Sequence, residues 1–262
     1  VKAVLRLRKE PYYRRAAFEA GLKRVGFVLT EMNEPNGPED WRVVWNRQGT
    51  EERACDKWEA AGGTVIVAEN GYLQQVDKTY YAISVHGHNG SGWFPVGNEN
   101  RFLKTGFHIQ PEKPIVGSVL VIGQRGIGSH AMKSPPQWGE QTLKAIQKLT
   151  KFPAVLRPHP GNFAPRVPLV CDLAKAAQCV IWSSAAGVRA LVEGLTVFYA
   201  APRWICEEGA YSFKDIPKVI DQSNLGRLSA LHTMSHGQWH HDEITTGEPF
   251  ARIIAQRSRA VW

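Results

Sequence analysis

The sequence predicts an α/β protein with two parallel-sheet domains, and three observations predict it. Strand-length apolar runs alternate with amphipathic helix-length stretches over residues 1–68, and the same alternation returns over 115–200. Between them, 97–114 loses its periodicity and is rich in Asn, Gly and Pro, which marks a boundary near residue 112. The expected layout is a domain over 1–112, a second over 113–228, and a helical segment over 229–262.

Val1 to Arg8 alternates apolar and basic residues, as a strand with one buried face does. Pro11 opens a helix through Lys23, and Val25 to Thr30 reads as the next strand. After a turn-rich loop, Trp41 to Trp45 is a third strand, running into Arg47; a helix over 50–60 and a strand from Thr64 to Ala68 follow. That strand closes in Glu69-Asn70-Gly71-Tyr72-Leu73, where an Asn-Gly turn explains the sequence as simply as a site does. Tyr80 to Val85 is another strand, ending in the glycine-rich loop His86-Gly87-His88-Asn89-Gly90-Ser91-Gly92-Trp93. Glycine freedom lets such a loop fold over a ligand, and either histidine suits proton transfer near neutral pH.

In the second half, Ile115 to Ile122 is a strand entering Gly123-Gln124-Arg125-Gly126, a loop whose freed N–H groups and Arg125 suit a phosphate. It matches neither a Walker A loop nor a GxGxxG fingerprint. His130 to Gly139, with Lys133, adjacent prolines and Trp138, is an irregular loop, and a helix over 139–149 follows. Ala154 to Leu156 is a strand opening into Arg157-Pro158-His159, and a helix over 169–177 precedes a strand over 179–182. Ser183 and Ser184 then start a helix containing Gly187 and Glu193, before a strand over 196–200. Free N–H groups and the positive dipole end make such a helix start an anion site, although serine is also a common cap with no further role.

At 262 residues and 43% hydrophobic content the chain has enough apolar material for one large or two small cores. No apolar run reaches the length of a membrane span and no signal-peptide core stands at the N-terminus, so a cytoplasmic protein without stable membrane insertion is expected. The four cysteines have no metal spacing and suit reduced, buried thiols. His236, His240, His241 and Asp242 invite a metal, but adjacent histidines diverge on a helix, and neither a metal nor a cofactor is expected. The net charge of +8 is uneven: residues 1–30 carry eight Lys/Arg against two Glu, and 116–262 carry 16 against 10 acids. Two basic regions suit a polyanion. Trp93, Trp138, Trp204 and Trp239 lie in Gly/Pro-rich contexts that read as loops open to stacking on a sugar or base.

The run from Arg157-Pro158-His159-Pro160-Gly161 to Ser183-Ser184 and Glu193 resembles the nucleotide-sugar half of GT-B glycosyltransferases. The likeness is to the capsule-polysaccharide (KpsC/KpsS, Kdo-transferase-like) group, and phage enzymes that glycosylate DNA bases are similar. Glu69 to Leu73 resembles that group's Glu-Asp-Gly-Phe-Leu motif, with Asn70 in place of Asp. Gln238, Trp239, Glu243, Ile244 and Gly247 match its tail, which packs back on the N-terminal domain. The resemblance implies two facing Rossmann-like domains and a metal-independent transferase using a nucleotide-sugar, a UDP-sugar being expected, with nothing else as cofactor. It implies donor binding by Gln124, Arg125, Gly126, Arg157, His159, Ser183, Ser184, Gly187 and Glu193. Glu69 or His88 is the expected catalytic base, and Arg47, Asn70, His86, Trp93, Lys133 and Trp138 the expected acceptor-binding residues. The charge points to double-stranded DNA bearing a hydroxymethylated pyrimidine as acceptor; a cell-surface glycan and a non-catalytic DNA- or nucleotide-binding module are the alternatives.

Overall fold

A computed structural model describes residues 1–73, 79–161, 167–216 and 226–257. The chain forms two compact units. The first comprises Val1–Glu99, Gly128–His130 and the chain from His236; the second comprises Asn100–Ile127 and Ala131–Ser235.

The first unit is built on a six-stranded sheet. Its elements are β1 (Lys2–Arg6), α1 (Arg15–Arg24), β2 (Val28–Leu29), β3 (Trp41–Trp45), α2 (Gly49–Ala60), β4 (Thr64–Asn70) and β5 (Tyr80–Val85). β2, β1, β3 and β4 are parallel, with Val43 level with Leu5 and Ile66. β5 runs antiparallel to β4, Ala82 opposite Glu69. Fewer than a dozen residues separate the two strands, too few for a parallel crossover, so the expected all-parallel sheet becomes mixed at this edge. β2 is only two residues long, against the expected Val25 to Thr30, because the chain leaves α1 through Gly26 at φ 95° and joins the sheet late.

Chain from beyond residue 235 completes this sheet. β11 (Gln238–His240) pairs antiparallel with β5, Trp239 opposite Tyr81, and is followed by α7 (His241–Thr246) and α8 (Glu248–Arg257). Trp239, Ile244, Phe250 and Ile253 enter one core with Phe18, Leu22, Trp41 and Ile83. Gly21 lets α1 meet α7: a Cβ there would lie 1.9 Å from the Ile244 carbonyl oxygen.

The second unit carries a five-stranded, all-parallel sheet in the order β10-β9-β8-β6-β7. Its elements are β6 (Ser118–Ile122), α3 (Trp138–Leu149), β7 (Ala154–Arg157), α4 (Leu169–Lys175), β8 (Ala176–Ile181), α5 (Ala185–Val192), β9 (Thr196–Tyr199), β10 (Tyr211–Ser212) and α6 (Arg227–Ser235). Its central strands bury both faces, as a helix-covered parallel sheet requires: every residue of β8 is buried.

The reading of Trp138, Trp204 and Trp239 as open loop residues is overturned by their burial, and Trp93 is half-buried. Trp204 and Trp239 are 1% and 0% exposed and Trp138 is 8% exposed, while Trp93 packs against the first core and pairs through its backbone with Val85. Trp204 fills the space over Gly187, where a Cβ would come within 2.9 Å of its ring.

Candidate active site

The carboxyl end of β4 carries Glu69, and the loop after β5 folds back beside it. Two left-handed residues shape that loop, His86 at φ 69° and Asn89 at φ 53°. The Val85–Trp93 pairing and a hydrogen bond from the Ser84 hydroxyl to the Gly87 carbonyl close it. It brings His88 and the Asn89 N–H to the Glu69 carboxylate, which also accepts the Tyr72 hydroxyl at 3.1 Å. Burial raises the Glu69 pKa; the charge of His88 and the bonds from Tyr72 and Asn89 oppose that rise without cancelling it. His88 is buried, and its Nδ1 has no hydrogen-bond partner among the described residues. A carboxylate that holds a proton more tightly than usual, beside an imidazole, is suited to accept one from a hydroxyl.

The structure brings the two expected base candidates together, with Trp93 closing the same loop. Asn70 is exposed and accepts the Tyr12 hydroxyl. Arg47 is paired with Glu59 and Asp56 at 2.6 Å each and also donates to the His86 carbonyl. His86 itself meets Glu59 at 2.7 Å. Burial pushes the Glu59 pKa up, but His86 and Arg47 together bring it below the ordinary value. Arg47 and His86 are therefore tied to α2 in one ion network, and neither is a free cation awaiting a substrate. Lys133 is exposed, and Trp138 starts α3 with its ring edge-on to Trp182 at 6.0 Å.

In the second unit, three loops leave the carboxyl ends of adjacent strands, where ligands bind in sheets of this class. The Gln124 side chain accepts the Ser183 N–H at 2.7 Å, tying the loop after β6 to the start of α5. Ser184 is the N-cap of α5, its hydroxyl accepting the Ala186 N–H at 3.2 Å. Gly123 packs against the backbone of Pro158 and His159, and Gly126 adopts φ 68°. The pKa of His159 is lowered, by desolvation first and by the Arg125 charge second, which places those two side chains close enough to interact. Gln124, Arg125, Gly126, His159, Ser183 and Ser184 thus share one edge.

Three expected donor residues do other work. Arg157 pairs with Asp172 and donates to the Val167 carbonyl at 2.9 Å, stitching β7 to α4. Gly187 accommodates Ile181 and Trp204 rather than opening backbone to a ligand. Glu193 is the C-cap of α5, bonded to Arg189 at 2.7 Å. Nine residues of helix, at about 1.5 Å each, hold it about 13 Å from Ser184.

Sequence reasoning gave no role to Tyr72 or Asn89, and it placed Gln238 in the returning tail without finding its partner. Tyr72 stands three residues from Glu69, and Asn89 is the kind of residue that tolerates the left-handed region, so both carried a local signal. Gln238 binds the Leu73 N–H at 2.9 Å and reaches the Leu73 carbonyl at 3.4 Å, a contact across 165 residues with no local trace.

Two Rossmann-like, mostly parallel sheets with helices between their strands define the GT-B class of fold, of the KpsC-like kind. Among solved structures, the β-Kdo 2,4 transferase of Thermosulfurimonas dismutans KpsC superposes with a TM-score of 0.55 at 14% identity, over 90% of this chain and 89% of that one. The β-Kdo 2,7 transferase of the same KpsC gives a TM-score of 0.57 at 12% identity, over 96% and 99%. No family model matches the chain, and no curated protein matches its sequence. No helix among the described residues is long and apolar enough to cross a membrane.

Proposed function

We propose that the protein is a glycosyltransferase that moves a sugar from a nucleotide-sugar to an acceptor hydroxyl. The observation that carries this is Glu69, a carboxylate with a raised pKa enclosed by His88, Tyr72 and Asn89, in a fold that solved Kdo transferases share. In the reaction, the acceptor O–H gives its proton to Glu69 as its oxygen bonds to the anomeric carbon. The bond from that carbon to the phosphate oxygen breaks, and the departing nucleotide keeps the electron pair. Its negative charge calls for N–H donors and cations, and the start of α5 at Ser183 and Ser184, Arg125, and His159 as a hydrogen-bond donor are groups of that kind.

For the acceptor, the uneven charge of +8 supports a polyanion, and a hydroxymethylated pyrimidine in duplex DNA is the reading it favours. The names of the structural neighbours support a cell-surface glycan instead. Incubation with uridine and cytidine nucleotide-sugars tests both readings, using hydroxymethylated duplex, unmodified duplex or an acidic capsule-type glycan, with products read by mass spectrometry. Transfer to the hydroxymethylated duplex alone supports the DNA reading, and transfer to the glycan alone overturns it. No transfer to any acceptor and no donor turnover overturns the transferase.

A further inference from the structure

The junction between β11 and α7 places His240, His241 and Asp242 so that one ligand atom from each lies within 4.8 Å of the others. Neighbouring histidines diverge on a helix, but His240 is not in the helix. It is the N-cap, with φ −66° and ψ 148°, and helical geometry begins only at His241. The two imidazole rings consequently lie 4.3 Å apart, centre to centre. The Asp242 carboxylate stands between them, 3.2 Å from His240 Nδ1 and 3.2 Å from His241 Nε2.

Those separations suit a metal. Ligand atoms about 2.1 Å from a tetrahedral zinc-like ion are about 3.4 Å from one another. His240 Nδ1 is already near that distance from one Asp242 oxygen and His241 Nε2 from the other, and in a set with one atom from each residue no separation exceeds 4.8 Å. Two imidazole nitrogens and one carboxylate oxygen form a set that borderline transition metals accept, whereas magnesium and calcium favour oxygen throughout. The backbone that carries the rings is held in place: the His241 backbone N–H donates to the Thr79 carbonyl at 3.0 Å and the His240 backbone N–H to Glu243 at 3.0 Å, while the Tyr80 ring lies 5.4 Å from the His240 ring. Against binding stands the positive end of α7, which the first-turn carboxylates Asp242 and Glu243 offset. The bond lost at His240 Nδ1, from the Asp242 N–H, is a long one at 3.3 Å.

We propose that His240, His241 and Asp242 bind one divalent transition-metal ion of the zinc, cobalt or nickel kind, with water completing its coordination. The ion staples β11 to α7, where the returning chain joins the first sheet. Binding uses the imidazole nitrogens in their neutral form.

The test uses untagged protein stripped with chelator. Cobalt(II) absorption and calorimetric titration with zinc are expected to show one equivalent bound, and zinc to raise the Tm. His241→Ala, and His240→Asn, which keeps a side-chain cap, are expected to weaken binding at least tenfold, while His108→Ala leaves it unchanged. Both variants must keep the wild-type Tm in chelator to count. If both unfold, Asp242→Asn, whose side chain is largely exposed, gives the same readout. Absence of a bound equivalent in wild type, unchanged affinity in the variants, or an equal Tm rise with magnesium overturns the proposal.

Discussion

Tyr72 donates its phenolic hydrogen to Glu69 at 3.1 Å, across a single turn at the end of β4. That bond favours the ionised carboxylate, while burial favours the protonated one, and burial prevails. The balance between them sets the pH at which this group can take a proton.

Activity should therefore rise with pH through the Glu69 pKa. Tyr72→Phe removes an interaction that lowers this pKa, so the acidic limb of kcat/KM should move to higher pH with donor affinity retained. Glu69→Gln should lower kcat by about 10² to 10⁴. An unshifted limb in Tyr72→Phe would detach the tyrosine from the base.

The same group makes stability depend on pH. Its folded pKa exceeds the unfolded value, near 4.3 for a free glutamate, so its contribution is full below that value and is lost as pH rises through the folded pKa. Glu69→Gln carries no such loss. Its Tm relative to wild type should increase from pH 4 to pH 8, and a constant difference would mean that the carboxylate is solvated.

Gly21→Ala should detach the returning chain from α1, because the Ile244 carbonyl and the Phe250 ring occupy the space. A loss of about 3 kcal/mol is expected in chemical denaturation, against a helix-propensity gain of roughly 1 kcal/mol or less. An unchanged midpoint would show that the α1–α7 contact yields freely.

Trp204→Ala and Trp239→Ala should each cost roughly 3–5 kcal/mol, the cost of emptying a packed aromatic site. Stacking residues on an open surface would leave the Tm nearly unchanged and weaken ligand binding alone.

Periodicity and turn chemistry made most strands and the helix start after Ser184 legible from local sequence, whereas the helix expected from Pro11 begins only at Arg15, beyond a left-handed Arg14. The misreadings share a cause. Trp204 and Trp239 sit in Gly- and Pro-rich stretches that look like loops, and only tertiary packing against α5 or the first core decides where their rings lie. The ion pairs of Arg157, Arg47 and Glu193 with Asp172, Glu59 and Arg189 went unread, because the first two are settled by the fold and the third by helical register. Gln238 and Leu73 meet across 165 residues, beyond any local pattern.

The sheet that carries Glu69 is stitched from distant parts of the gene. A ribosome releases β1 to β5 first, then all of the second unit, and only afterwards the strand that covers β5 and the glutamine that clasps Leu73. During that interval the edge of β5 and the ring of Tyr81 lack their lid, so the second unit, whose sheet is complete within one continuous run, has the means to finish first. The surroundings of Glu69 are then completed only when the strand at Gln238–His240 has arrived.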